Sequence, residues 1–192
     1  MTVLILAEPR SGSTHLAGYL RFCGFYTFYE PFNKLSQFFF PEIETCQGLD
    51  HHIGKKILVK ELFWGSAAGS NIHKFDYQKF ISRFDYTIFL HRGNFEEQVS
   101  SYDFCNANNV HLQKPYSIPR DYKSSELSLL LFQQLKDEFK ELRANHTQGR
   151  YIDISYEELY QFKKIDLIFE FLGIEKPLGV TWPYANRLRR IV

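Results

Sequence analysis

The chain has 192 residues, of which 44% are hydrophobic and 23% are charged, and its formal net charge is +1. This length and balance predict one globular domain, residues 1–192, with a sizeable core. The near-neutral charge excludes the basic excess of proteins that bind long nucleic acids, so any anion site must be local.

The cysteines and the first residues indicate the cellular compartment of the protein. Cys23, Cys46 and Cys105 are few, odd in number and widely spaced, which argues against a disulfide framework or a zinc site. The apolar start lacks a basic lead, and no apolar run approaches membrane-spanning length. We therefore expect a cytoplasmic protein without a signal peptide, a metal or a membrane segment.

Predicted strands and helices alternate along the chain. In chain order they are a strand at Val3–Ala7, a helix at Thr14–Phe22, strands at Phe25–Tyr29, Ile57–Val59 and Tyr86–Leu90, helices at Phe95–Cys105 and Glu126–Ala144, a strand at Tyr151–Ile154 and a helix at Ile165–Leu172. This alternation predicts an α/β fold, a three-layer sandwich around a mostly parallel five-stranded sheet.

Caps and long connections complete the predicted pattern. Asn94 is expected to cap the helix that follows it, and Ser124 or Ser125 to cap the next helix. Asn33–Lys55 and Asn106–Lys123 are predicted long loops. Loops of this length are either substrate lids or surface insertions.

The loop after the first strand has the form of an anion site. Pro9-Arg10-Ser11-Gly12-Ser13-Thr14 lies between a buried strand and a helix, so backbone N–H groups and the helix N-terminus converge there. The phosphate loop of nucleotide kinases would need Gly at Ala7 and Lys at Ser13, and the dinucleotide-binding motif is absent as well. The other interpretation is a serine-rich turn that only caps the helix.

This motif resembles the 5′-phosphosulfate loop of the sulfotransferases that use 3′-phosphoadenosine 5′-phosphosulfate (PAPS). In that family an Arg after a strand and a Ser eight positions later bind the 3′-phosphate, and Arg92 and Ser100 have this spacing. Arg92 follows a predicted strand, and ligands bind at the carboxyl ends of strands in open α/β sheets. The alternative is an exposed Arg and an ordinary helix Ser.

The resemblance implies a single sulfotransferase-like domain, residues 1–192, with the P-loop nucleotide-kinase-like fold. It extends from about residue 2 to residue 174. In cytosolic members a Tyr in the segment Tyr-Glu-Asp/Glu-Leu contacts the adenine, which implies this role for Tyr156, unless Tyr156 only packs at a helix start. The likeness weakens at the basic tail, Asn186–Val192, which either replaces the family's Arg-Lys-Gly loop or is a solvated end.

The general base differs from that of the cytosolic members. They use a His two positions after a Lys on the third strand, but here the two positions hold Lys60 and Leu62. Carbohydrate and protein-tyrosine members use a Glu near the end of the second strand, which implies that Glu30 is the base. Glu61 and His91 are the alternatives.

The resemblance also implies the remaining roles. Arg10 would stabilise the leaving oxygen, and Lys60 would contact the sulfuryl oxygens unless it points to solvent. The 5′-phosphosulfate would lie against Ser11, Gly12, Ser13 and Thr14. PAPS would be the donor and 3′,5′-adenosine bisphosphate (PAP) the product, with no metal, and a saccharide or other small alcohol would be the acceptor.

Two other functions remain open. One is a kinase-like phosphotransferase, against which the missing loop Lys counts. The other is a non-catalytic, nucleotide-binding sulfotransferase-like protein, which the unusual base and short tail favour. Five aromatic residues either wall an acceptor site or pack in the core: Phe38, Phe39, Phe40, Phe63 and Trp64.

Overall fold

A computed structural model describes residues 1–31, 56–63, 76–108, 118–119, 121–147 and 149–179. The predicted loop Asn33–Lys55, the basic tail and four of the five aromatic candidates lie outside these residues. The fifth candidate, Phe63, is buried, and its ring centroid lies 5.0 Å from that of Phe139. Phe63 is therefore a core residue.

Five strands form one sheet. They are β1 (Thr2–Ala7), β2 (Tyr26–Tyr29), β3 (Ile57–Leu62), β4 (Tyr86–His91) and β5 (Arg150–Ser155). Their order is β2-β3-β1-β4-β5, and each neighbouring pair is parallel. The predicted α/β fold with five strands is confirmed, and the described sheet is parallel throughout.

β1 lies at the centre of the sheet because its side chains are apolar on both faces. Val3 to Ala7 expose none of their surface. β3 continues beyond the predicted Ile57–Val59, since Lys60 and Glu61 remain paired with β1 and are buried. Two charged residues in succession do not have the pattern of a buried strand, so the strand predicted from sequence is too short.

Helices cover both faces of the sheet. They are α1 (Ser13–Arg21), α2 (Tyr77–Ile81), α3 (Phe95–Ala107), α4 (Glu126–Ala144) and α5 (Asp166–Leu172). One core cluster packs α1 and α5 against β-strand residues such as Ile5, and the other packs α2 and α4 against residues such as Leu6. This arrangement confirms the three layers.

Two short elements are not predicted by the sequence. α2 has five residues, and a π-helical turn of five residues, Glu157–Gln161, lies between β5 and α5. Segments of this length are too short for a helical repeat of apolar residues to be recognised. α3 also continues to Ala107, so the predicted loop Asn106–Lys123 begins later than expected.

Two kinds of feature are absent from the described residues. None of the helices in that part of the chain has both the length and the apolar character needed to cross a membrane. The same residues contain no group of three or more His, Cys, Asp or Glu that could hold a metal ion.

Both predicted caps are present, and a carboxylate from α3 supports the second. Asn94 accepts the N–H of Glu97 at 3.1 Å, and Ser125 accepts that of Ser128 at 3.3 Å. Asp103 accepts the N–H of Ser125 at 2.8 Å and the hydroxyl of Ser128 at 2.7 Å. Burial raises the pKa of Asp103, but these bonds outweigh it and leave the pKa below its usual value.

We expect Asp103→Ala to lower the free energy of unfolding by about 1–2 kcal/mol, the range of a lost helix cap, because α4 loses an acceptor at its first turn. Urea unfolding followed by circular dichroism measures the change. The control is Asp121→Ala, an exposed Asp before α4, which should change the value by less than about 0.5 kcal/mol. Equal losses in both variants would contradict this role of Asp103.

Candidate active site

Each of the five strands brings one predicted site residue to the same edge of the sheet. In sheet order these are Glu30 after β2, Lys60 near the end of β3, Arg10 after β1, Arg92 after β4 and Tyr156 after β5. The strands are parallel, so their carboxyl ends meet at one edge, which is where ligands bind in open α/β sheets.

The loop after β1 presents backbone donors at the start of α1. Gly12 precedes α1 with a φ of 83°, and Arg10 has a φ of 65°. Among the described residues, the N–H groups of residues 11–14 donate to no protein acceptor. Such donors at a helix N-terminus, together with the helix dipole, bind anions. The structure therefore gives the loop the geometry that an anion site requires.

Ser11 shapes the loop through its side chain. Its hydroxyl donates to the carbonyl oxygen of Glu8 at 2.7 Å, and the residue is fully buried. The Ser11 hydroxyl therefore donates within the loop, and its backbone N–H has no acceptor among the described residues.

The serine hydroxyl bonded to the loop belongs to Ser101. Arg10 Nε donates to Ser101 Oγ at 3.1 Å, and Ser101 is fully buried. The spacing from Arg92 predicts Ser100 for the 3′-phosphate, but the hydroxyl of Ser100 lies 3.1 Å from that of Ser124, before α4. Ser100 and Ser101 thus have different partners.

Arg92 lies beside the loop with only 1% of its surface exposed. Its Nη1 donates to the carbonyl oxygen of Arg10 at 3.1 Å, and its Nη2 donates to Glu97 at 2.5 Å. Its Nε has no hydrogen-bond partner in the described part of the chain. A phosphate that bound Nη2 of this guanidinium would replace the carboxylate of Glu97.

A buried carboxylate joins the loop to Arg92. Glu8 Oε2 accepts the backbone N–H of Arg92 and the side-chain amide of Gln98, both at 3.0 Å. Gln98 also donates to the carbonyl of Pro9 at 2.8 Å, and Lys136 donates to the carbonyl of Arg92. The sequence does not predict this role for Glu8, although a carboxylate directly after a buried strand is a visible signal.

Glu30 and Lys60 form an ion pair. The Lys60 ammonium donates to Glu30 Oε1, and Lys60 exposes 2% of its side chain against 21% for Glu30. The Glu30 N–H donates to the Lys60 carbonyl at 2.6 Å, and Glu30 has a φ of 48°. A positive φ in a residue other than Gly is unfavourable and is concentrated at functional sites. Lys60 therefore points into the protein and fixes the carboxylate at the end of β2.

The two alternative bases lie on the opposite face of the sheet. Side chains alternate along a strand, so Glu61 faces away from Lys60, and it accepts the next backbone N–H at 3.0 Å. His91 Nε2 lies 3.3 Å from a carboxylate oxygen of Asp153. Burial, followed by the charge of Arg143, lowers the pKa of His91. Neither residue faces the same side of the sheet as Lys60.

Tyr156 is packed within the protein. It is 6% exposed, the guanidinium carbon of Arg92 lies 4.4 Å from its ring centroid, and the ring of Tyr160 stacks on it at 4.7 Å. Tyr156 therefore packs within the protein, which is the alternative to an adenine contact that the sequence left open. An adenine contact would have to use the edge or the hydroxyl of Tyr156 rather than its ring face.

Glu157 caps the start of the segment that follows Arg92. Its two carboxylate oxygens accept the N–H of Gly93 at 2.9 Å and that of Asn94 at 3.1 Å. Burial raises the pKa of Glu157, but these hydrogen bonds and the charge of Arg92 outweigh it and leave the pKa below its usual value. The ionised carboxylate thus fixes the chain just beyond Arg92.

We expect Glu157→Gln to lower the melting temperature at pH 7, because the charge that favours these two N–H groups is lost. A carboxylate with a lowered folded-state pKa stabilises fully above its unfolded value of about 4.3 and loses this effect as the pH falls through the folded value. The difference from wild type should therefore shrink below about pH 4.3, measured by thermal unfolding over a pH series. A difference independent of pH, or an equal one in exposed Glu175→Gln, would contradict this.

The similarity of this chain to known proteins lies in its fold. No protein-family model matches the chain, and no curated protein matches it. The solved structure of a sulfotransferase domain from the curacin biosynthetic pathway is similar, with a TM-score of 0.52 and 14% sequence identity. The match covers 94% of this chain and 78% of that one. The chain therefore has a sulfotransferase-like α/β fold.

Proposed function

We propose that this chain is a sulfotransferase that transfers the sulfuryl group of PAPS to an acceptor hydroxyl. The observation that carries the proposal is the contact of Arg92 Nη1 with the Arg10 carbonyl. This contact places a guanidinium beside the loop whose N–H groups at residues 11–14 donate to no acceptor among the described residues. A nucleotide with a phosphate at either end of its ribose suits two adjacent anion-binding elements. The sulfotransferase-like fold supports the same function.

Donor binding divides between the two elements. Residues 11–14 hold the 5′-phosphosulfate through their N–H groups, with the hydroxyls of Ser13 and Thr14 beside them. Arg92 holds the 3′-phosphate once Glu97 has moved aside, and Ser100 supplies a hydroxyl. The Arg10 guanidinium, bonded to Ser101, neutralises charge on the oxygen that bridges sulfur and the 5′-phosphate.

Transfer is an in-line displacement at sulfur. The acceptor oxygen forms a bond to sulfur while the bond from sulfur to the 5′-phosphate oxygen breaks, and PAP leaves with that electron pair. Glu30 takes the proton of the acceptor hydroxyl, a step that general bases accelerate by about 10²–10⁴-fold. Lys60 orients Glu30 and offsets the charge on the sulfuryl oxygens.

The position of the base indicates the acceptor. Glu30 lies at the end of β2, the place of the base in the carbohydrate and protein-tyrosine sulfotransferases that the sequence resembles. By resemblance to the carbohydrate members we favour an acceptor that is a saccharide or another small alcohol.

Binding of PAP tests the donor site. PAP at about one hundred times its dissociation constant should stabilise the protein by about 2.7 kcal/mol in a thermal-shift measurement. Arg92→Ala should lower the affinity for PAP about 10- to 100-fold by calorimetry, since a hydrogen bond to a charged group is lost. The control is Arg150→Ala, which changes an exposed Arg and should leave the affinity for PAP unchanged. No shift with PAP would contradict the proposal, and a larger shift with ATP and magnesium would favour the phosphotransferase.

Turnover tests the base. Glu30→Gln should bind PAP as wild type does, but transfer of radiolabelled sulfate from PAPS to a panel of sugars, phenols and peptides should fall about 10²–10⁴-fold. The control is Glu175→Gln, which changes an exposed Glu outside the site. Full activity in Glu30→Gln would show that Glu30 is not the base. PAP binding without transfer to any acceptor by wild type would favour the non-catalytic function.

A further inference from the structure

Two tyrosines connect the anion-binding loop to Arg92. Tyr156 and Tyr160 are 6% and 1% exposed, and their rings stack with centroids 4.7 Å apart and 26° between the planes. Tyr160 belongs to the π-helical turn Glu157–Gln161, and Tyr156 directly precedes it. π-Helical turns are often found at functional sites.

Tyr160 holds the loop at Gly12, the residue directly before α1. Its hydroxyl donates to the Gly12 carbonyl at 2.6 Å, and a Cβ added to Gly12 would lie 2.7 Å from Tyr160 Cε2. Burial raises the pKa of this hydroxyl well above the usual value, so it stays protonated and donates. The Gly12 carbonyl and the Ser13 N–H share one peptide plane and point in opposite directions. The N–H groups of His15 and Leu16 also donate to the Gly12 carbonyl, at 3.0 and 3.2 Å, so Tyr160 adds a third hydrogen bond that helps to fix this carbonyl and with it the direction of the Ser13 N–H group.

Tyr156 holds Arg92 at the other end of the stack. The guanidinium carbon of Arg92 lies 4.4 Å from the Tyr156 ring centroid, a distance at which cation–π attraction is favourable. The guanidinium is thereby held beside the Arg10 carbonyl, to which its Nη1 donates at 3.1 Å. The order of contacts is Arg92, Tyr156, Tyr160 and Gly12.

We infer that Tyr156 and Tyr160, which we call the tyrosine brace, set the distance between the two phosphate subsites. The inference rests on the proposed function of the site. Tyr160 positions the loop for the 5′-phosphate, and Tyr156 positions Arg92 for the 3′-phosphate. The brace thus makes the site selective for adenosine nucleotides phosphorylated at both the 3′ and the 5′ position.

Ligand selectivity distinguishes a brace from ordinary core packing. Both rings also belong to the core cluster beneath α1 and α5. A residue that only packs there would change stability and weaken every ligand alike. A positioning residue changes the affinity for one phosphate more than for the other.

The experiment measures dissociation constants of PAP, 5′-AMP and 3′-AMP by calorimetry. Tyr160→Phe keeps the ring and removes the bond to Gly12, so it should weaken 5′-AMP and PAP about three- to tenfold while 3′-AMP stays within about twofold of wild type. Tyr156→Leu removes the ring beneath Arg92, so it should weaken 3′-AMP and PAP by about tenfold and spare 5′-AMP. The control is Tyr151→Phe, a 45% exposed Tyr on β5 that should change none of the three.

The brace would be overturned if folded Tyr160→Phe bound all three ligands equally more weakly than wild type does. It would also be overturned if this variant bound all three with unchanged affinity. Tyr160→Phe removes a single oxygen, so it provides the decisive result if Tyr156→Leu does not fold. Wild type that does not bind PAP would overturn the proposed function and the brace together. Wild type that binds PAP, with Tyr160→Phe unchanged in selectivity, would overturn the brace alone.

Discussion

Glu8 lies buried between the loop after β1 and the end of β4, where a carboxylate is tolerated only if it is paired. Removing a charge from water costs several kcal/mol, which hydrogen bonds and opposite charges must offset. Here the backbone N–H of Arg92 and the amide of Gln98 each donate at 3.0 Å, and the Lys136 ammonium lies 3.9 Å away. These partners lie directly after β4, on α3 and on α4, so one carboxylate joins three parts of the fold to the loop.

Arg92 is consequently held from two directions. On the side of α3 and α4, Glu8 accepts the backbone N–H of Arg92, and Lys136 donates to its backbone carbonyl. Its guanidinium is held by the ring of Tyr156, which belongs with Tyr160 to the core beneath α1. The loop is fixed through Pro9 on one side and Gly12 on the other. The two anion-binding elements are thus fixed relative to each other before any ligand arrives, which lowers the entropic cost of binding.

The fold was predictable because its signals are local. A fully apolar strand, a glycine-containing loop and a helix follow one another within residues 3–22, and β4 is a further, mostly apolar run. The loop and Arg92 were predictable for the same reason, since each directly follows a strand. β3 was predicted too short, because Lys60 and Glu61 are buried through pairing with β1 rather than through apolar character.

The contacts that fix the site were not predictable. Glu8 meets the Arg92 N–H across 84 positions, and Tyr160 meets Gly12 across 148 positions. Such contacts follow from strand order and helix packing rather than from any sequence pattern. Glu30 and Lys60 are both candidates from sequence, but their pairing depends on the register that places Tyr29 beside Lys60.

The most direct measurement is a crystal structure of the chain with PAP. In that structure we expect the 5′-phosphate to accept hydrogen bonds from the N–H groups of residues 11–14. We also expect the 3′-phosphate to accept from the Arg92 guanidinium, with the Glu97 carboxylate displaced. PAP bound away from this edge of the sheet, or bound there with Arg92 still paired to Glu97 and remote from both phosphates, would contradict the proposed donor site.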